Sequence, residues 1–182
     1  RSAAAALGRK RLRTALLALR TSLNDAEPEV RLAGMRAIGR IVDTIGNSGA
    51  VDAELNTRLQ QLTETGSAED QLVACGTLLQ LGDESQHDRL RQALNSSDAL
   101  IRKLVVETVP TSDPLLVDAL TDQAPPVRFA AARRLAAQKV RDAVPVLREA
   151  LGQGGADSVV AYGLLKKMGE AVSPPAGFGE LL

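Results

Sequence analysis

Tryptophan is absent from this chain of 182 residues, and Phe129, Tyr162 and Phe178 are its only aromatics, 2% of the whole. An all-β fold would want aromatics together with Val, Ile and Thr, so composition argues against that class. Cysteine occurs once, at Cys75, which excludes an internal disulfide and makes a reducing compartment the simple reading. Histidine also occurs once, at His87. Net charge is missing too: 22 basic residues face 22 acidic ones, and the isoelectric point is near 6.8. A dedicated nucleic-acid binder usually carries a basic excess, which argues against that class. No run of about 18 apolar residues exists, so no membrane-spanning helix is expected. The stretch from Arg1 to Leu19 has basic and apolar parts in the wrong order for a secretory signal. The chain opens on Arg rather than Met, and we expect a piece of a longer protein.

What is present is apolar and helix-forming. Hydrophobic residues make up 45% of the chain, and Ala and Leu contribute 28 each. Both are strong helix formers. High apolar content at zero net charge also argues against disorder. The length allows one domain or two.

Five segments superimpose without gaps: Val30–Arg40, Val73–Asp83, Ile101–Thr111, Val127–Ala137 and Val160–Glu170. Take the first residue of each as position zero; it is aliphatic every time. Position eight is large and apolar: Ile38, Leu81, Val109, Leu135 and Met168. Position three is small in four copies, Ala33, Gly76, Ala130 and Gly163, with Leu104 the exception. Position nine is glycine in three copies, Gly39, Gly82 and Gly169. At helical periodicity, positions zero, four, five and eight share one face, so each segment is expected to be an amphipathic helix. The small residue at position three would admit a close neighbour. A second apolar period precedes each segment: Leu12, Leu16, Leu19 and Leu23; Leu55, Leu59 and Leu62; Leu90 and Leu94; Leu116 and Leu120; Val144, Leu147 and Leu151. Polar or breaking turns separate the two periods. Asp70, Asp98 and Asp157 stand three residues before position zero, where they can cap the helix. Pro28 and Pro125 fit a first helical turn. Each unit reads as a helical hairpin whose apolar face is buried by stacking on the next. Leu7-Gly8 looks like the tail of an earlier unit.

These segments resemble HEAT repeats, most of all the short bacterial type found in phycobilisome lyase-related proteins. Leu120–Ala137 (LTDQAPPVRFAAARRLAA) matches best, followed by Leu23–Arg40 (LNDAEPEVRLAGMRAIGR). The resemblance implies an all-α, right-handed alpha-alpha superhelix over residues 1–170, with about five hairpins and a partial one at the start. Residues 171–182 would form a Pro- and Gly-rich tail. In such repeats a turn Asp and the Arg after position zero often bond between neighbours; Asp25, Asp122, Arg31, Arg102 and Arg128 match those roles. Ala74 and Ala161 interrupt the Arg pattern, and an insertion is expected around Thr44–Asp52. The family implies a binding role without specifying the partner.

Chemistry-bearing patterns are few. His87 has Asp83, Glu84 and Asp88 beside it, but with no second imidazole a solvated helix start is the better reading than a metal site. Cys75 has no sequence neighbour to activate it, and a small filler is expected there. The clusters Gly46–Gly49 and Gly152–Gly155 follow no strand and carry no phosphate-loop lysine, so both read as turns. No triad or paired-carboxylate motif stands out, and neither an enzyme nor a cofactor is expected. Arg9, Lys10, Arg11 and Arg13 form a basic cluster, read as a charged helix face or as a contact for phosphate or acidic protein.

A binding surface is expected opposite the apolar face, whose centre falls at roughly 70° on the helical wheel. Positions two, six and ten fall at roughly 200°, 240° and 280°, and stacked second helices usually line the concave side of such a solenoid. That stripe carries Arg36, Arg40, Lys103, Phe129, Arg133, Tyr162 and Lys166, with Leu32, Leu79 and Glu107. It suits a protein or peptide with acidic and hydrophobic groups. Position two lies near the core boundary, so Phe129 and Tyr162 can equally pack between repeats. In the tail, Phe178, Leu181 and Leu182 suit either a strap over the last hairpin or a linker. The expectation is a cytoplasmic, non-catalytic interaction scaffold of undefined oligomeric state. The alternatives are a bilin lyase-related subunit and a nucleic-acid-binding repeat protein. A DNA-alkylation glycosylase would stack bases on aromatics, which this chain barely has.

Overall fold

The computed structural model describes residues 14–45 and 53–175. Among these residues every regular element is helical and there is no strand. The elements are α1 (14–22), α2 (Pro28–Ile45), α3 (Ala53–Thr65), α4 (Ala68–Gln80), α5 (His87–Leu94), α6 (Ala99–Thr108), α7 (Leu115–Asp118), α8 (Pro125–Ala137), α9 (Ala143–Gln153) and α10 (Gly155–Lys167). Short 3₁₀ turns, Glu84–Gln86 and Ala119–Thr121, precede α5 and follow α7. The chain divides into two compact units, Arg1–Ser97 with Thr108–Pro110, and Asp98–Glu107 with Thr111–Leu182.

Local sequence accounts for the helix ends. Pro28 and Pro125 open α2 and α8, where a missing N–H costs nothing. Ser67, not Asp70, is the N-cap of α4. Its hydroxyl accepts from the Asp70 N–H, and the Asp70 carboxylate accepts from the Ser67 N–H, which closes a capping box. Asp98 accepts from the Leu100 N–H at the start of α6, as a cap should. Asp157 lies in the first turn of α10 without capping it. At the other ends, Gly82 and Gly169 adopt positive φ, and Asp83 and Glu170 donate back to Leu78 and Leu165. These are Schellman closures. Lys139 takes the same part after α8, at φ 58°, with Val140 donating to Leu135. Gly39 does not end a helix, because α2 runs on to Ile45. It lets Gln80 of α4 lie against α2.

In the first unit α4 packs on α2, α3 and α5; in the second, α9 packs on α8 and α10. Of the preceding apolar periods, Leu16, Leu23, Leu55, Leu59, Leu62, Leu90, Leu116, Leu120 and Leu147 are in the core, Leu19, Leu94, Val144 and Leu151 are half-buried, and Leu12 lies outside the described residues. The second helices depart from expectation in one respect. Position zero is buried at Val73 and Val127, but 40% exposed at Val30 and 41% at Val160. Position five is the constant: Met35, Leu78, Val106, Ala132 and Leu165 are all sealed from solvent. Positions one, four, five and eight, buried or half-buried in every copy, centre at roughly 90° on the wheel. Position zero is therefore an edge, and position one sits near the middle of the buried face.

The small residues at position three also divide. Gly76 and Ala130 are buried, whereas Ala33 is exposed and nothing lies near Gly163. Gly76 holds a close approach to a neighbouring backbone: a β-carbon there would meet the Thr108 methyl and lie 2.7 Å from the Thr108 carbonyl oxygen. Both belong to the first unit. Gly76→Ala is expected to cost about 1–3 kcal/mol through this overpacking. A lowered urea midpoint with an unchanged slope checks it; an unshifted midpoint would place Thr108 farther from α4.

Candidate interaction surface

The burial pattern decides which of the stripe residues reach solvent. At position two, Leu32, Cys75 and Phe129 are buried, at 7%, 1% and 7% exposure. Leu79 at position six is buried as well. The core is centred closer to positions one and five than the hydropathy pattern implied, so position two lies at its rim. Phe129 is thereby removed from the exposed stripe. With Val146 and Ala150 of α9 it lines a cleft of about 130 Å³, rimmed by Pro126, Gln153 and Asp157. Tyr162 is half-buried. Burial raises the Cys75 thiol above its ordinary pKa, which suits a filler and disfavours a nucleophile.

The charged members remain at the surface. In the first unit Arg36 is half-buried and Arg40 exposed. In the second, Lys103 lies 3.6 Å from Glu107 one turn on. Arg133 and Lys166 are exposed and hold no ion pair among the described residues. His87 opens α5, half-buried. No group of three His, Cys, Asp or Glu able to hold a metal ion occurs among the described residues. The basic cluster Arg9–Arg13, the glycines Gly46–Gly49 and the apolar Phe178, Leu181 and Leu182 lie outside them. The cluster Gly152–Gly155 is the turn between α9 and α10, with Gly154 and Gly155 at positive φ.

Beneath this surface runs a series of arginine clasps. Arg31 donates from Nη1 to the carbonyls of Asp25 and Ala26, and from Nη2 to Asp70 Oδ2 at 2.6 Å. Arg128 repeats the plan, reaching the carbonyls of Asp122 and Gln123 at the same sequence offsets and Glu149 Oε1 at 2.6 Å. Arg102 grips Asp122 with both prongs, Nε to Oδ2 at 2.7 Å and Nη2 to Oδ1 at 2.8 Å. All three arginines occupy position one, and each clasp crosses from one hairpin to the next within its unit. Arg31 therefore pairs with Asp70 rather than with the Asp25 side chain. On the first helices, Arg58 donates to the Leu23 carbonyl and Arg89 to the Thr63 carbonyl, satisfying the ends of α1 and α3. Nothing in the apolar periodicity marks these two residues.

Asp122 and Asp70 titrate below the ordinary carboxylate value. For Asp122 the main cause is the Arg102 hydrogen bond. For Asp70 burial pushes upward, but hydrogen bonds from Arg31 and Ser67 overcome it. No protein-family model matches the chain, and no curated protein matches it.

The Arg102–Asp122 pair is 5% and 9% exposed, so removing one partner leaves a desolvated charge. Asp122→Asn is expected to lower unfolding free energy by about 3 kcal/mol, read in urea at pH 7; a loss no larger than that of a surface substitution would contradict the clasp. Because both aspartates have depressed folded pKa values, their contribution is complete above the unfolded carboxylate range. It is lost as pH falls below about 4 and through the folded values. A helical circular-dichroism titration from pH 7 to 2 should show stability falling in that window. Asp122→Asn should flatten the fall, and an equally steep loss in the variant would assign it to other carboxylates.

Proposed function

We propose that the chain is a non-catalytic scaffold of HEAT-like repeats. In this reading residues 1–170 wind into a right-handed alpha-alpha superhelix and residues 171–182 form its tail. The partner is a protein or peptide carrying acidic and hydrophobic groups, met in the reducing cytoplasm. The observation that carries the reading is the pair of exposed cations Arg133 and Lys166, without an ion pair among the described residues, at the same position of α8 and α10, with Arg36 half-exposed at that position of α2. Their own helices bury position five and leave position six outside. Cations held outside an intact core are free to steer an acidic partner. Tyr162, half-buried beside Lys166 on α10, supplies the apolar component of the contact.

The experiment is a tagged pull-down with Arg36→Glu and Arg133→Glu combined. Both sit outside the core and outside the clasps, so the far-UV spectrum and thermal midpoint should match those of the parent. Capture of the partner, identified by mass spectrometry, should disappear. Undiminished capture would remove these helix faces from consideration.

A further inference from the structure

In the second unit the C-terminal ends of α8 and α10 carry an unusual accumulation of positive charge. Lys139 closes α8, Arg141 follows it, Arg148 projects from α9, and Lys167 ends α10. Two of these converge: Arg141 Nη1 lies 2.9 Å from Glu170 Oε1, and Arg148 Nη2 lies 2.7 Å from Glu170 Oε2. One carboxylate thus bridges two guanidiniums. Arg141 is still 80% exposed and Arg148 49%. Lys139 and Lys167 are exposed and hold no ion pair among the described residues. Glu170 and Asp142 are the only acids on these turns, so positive charge is in excess.

Helix dipoles explain only part of this. Lys167 at the end of α10 complements the negative helix pole. Arg141 does the opposite: it precedes α9, whose positive pole starts at Ala143. That position is offset by the pairing with Glu170, which still leaves the Arg141 side chain 80% exposed. At the other ends of the same helices Asp157 lies exposed in the first turn of α10, while Asp122, before α8, is already held by Arg102. Each helix has 13 residues, which sets the two poles about 20 Å apart.

We propose that this basic edge, formed by Lys139, Arg141, Arg148 and Lys167, binds a short acidic peptide segment. The Glu170 bridge shows the geometry required, because planar guanidinium forks already engage a carboxylate there. A segment of a few carboxylates spans this edge alone, whereas a polyanion longer than about 20 Å would also meet the exposed Asp157 at the other end of α10. Lys139, Arg141 and Arg148 lie off the stripe of second-helix faces, so the edge does not depend on that surface being a binding site.

The test is fluorescence anisotropy with the full chain and a labelled ten-residue glutamate peptide, at 50 and 200 mM salt. A ten-nucleotide single-stranded DNA serves as comparison. The peptide should bind saturably, weaken with salt, and bind more tightly than the DNA. Lys139→Glu with Lys167→Glu should weaken it at least tenfold while the far-UV spectrum holds, since neither lysine has an ion pair to lose. Glu170→Gln removes the internal competitor and should tighten binding several-fold, a direction that general unfolding cannot produce. Arg36→Glu with Arg133→Glu should leave the peptide affinity within about threefold, which separates this edge from the stripe. No saturable peptide binding, tighter DNA binding, or an unchanged affinity in the lysine variant would each overturn the proposal.

Discussion

In each unit the arrangement depends on one sealed position of the second helices. Met35, Leu78, Val106, Ala132 and Leu165 differ in size, from methyl to thioether, yet each is shut off from water. A sealed position of that kind gives each helix a single favourable rotation about its axis. At roughly 25 cal/mol per Å² of apolar surface, turning it outward on any one helix would cost more than a typical surface contact could return. Everything polar is arranged around that rotation. Position one falls on the buried side, so an arginine there has to be neutralised, and Arg31, Arg102 and Arg128 all are. On α8 and α10 position six falls outside, where Arg133 and Lys166 are exposed.

Much of this was legible in the residues. Alternating helices, their proline starts and most of the buried leucines of the first helices follow from spacing. The Arg102–Asp122 pairing also followed, through the resemblance. What spacing misplaced was the helical rotation. Val30 and Val160 are aliphatic and aligned, yet two-fifths exposed. A hydropathy pattern counts Arg31, Arg102 and Arg128 as polar and so pushes the apparent apolar centre away from position one. Guanidinium burial by pairing erases that distinction. Phe129 went to the core for the same reason, since a shift of roughly 20° turns a surface position into a rim position. Lys139 at positive φ was illegible, because glycine is the usual sign of such a closure and none stands there.

Charge is consequently sorted into two populations. Members of the first are held between hairpins at 2.6 to 2.8 Å and tie neighbouring hairpins together. Members of the second are solvent-facing and gather on helix faces and ends. An equal count of acids and bases therefore conceals local excess of either sign, and zero net charge says little about what a given edge can attract. Among the described residues no helix is long and apolar enough to cross a membrane.

Asp70 carries one more consequence. Its carboxylate is fully buried, yet Oδ2 receives Arg31, the Ser67 hydroxyl and the Ser67 amide while Oδ1 receives no hydrogen bond from the described residues. Asp122 has both oxygens engaged. A dry, idle acceptor costs on the order of 1–3 kcal/mol. The joint at Asp70 therefore gives back less of its desolvation than the one at Asp122. Under heat or denaturant, fraying should begin at the α2–α4 seam, and the chain should come apart from its leading hairpins while α6 to α10 still hold.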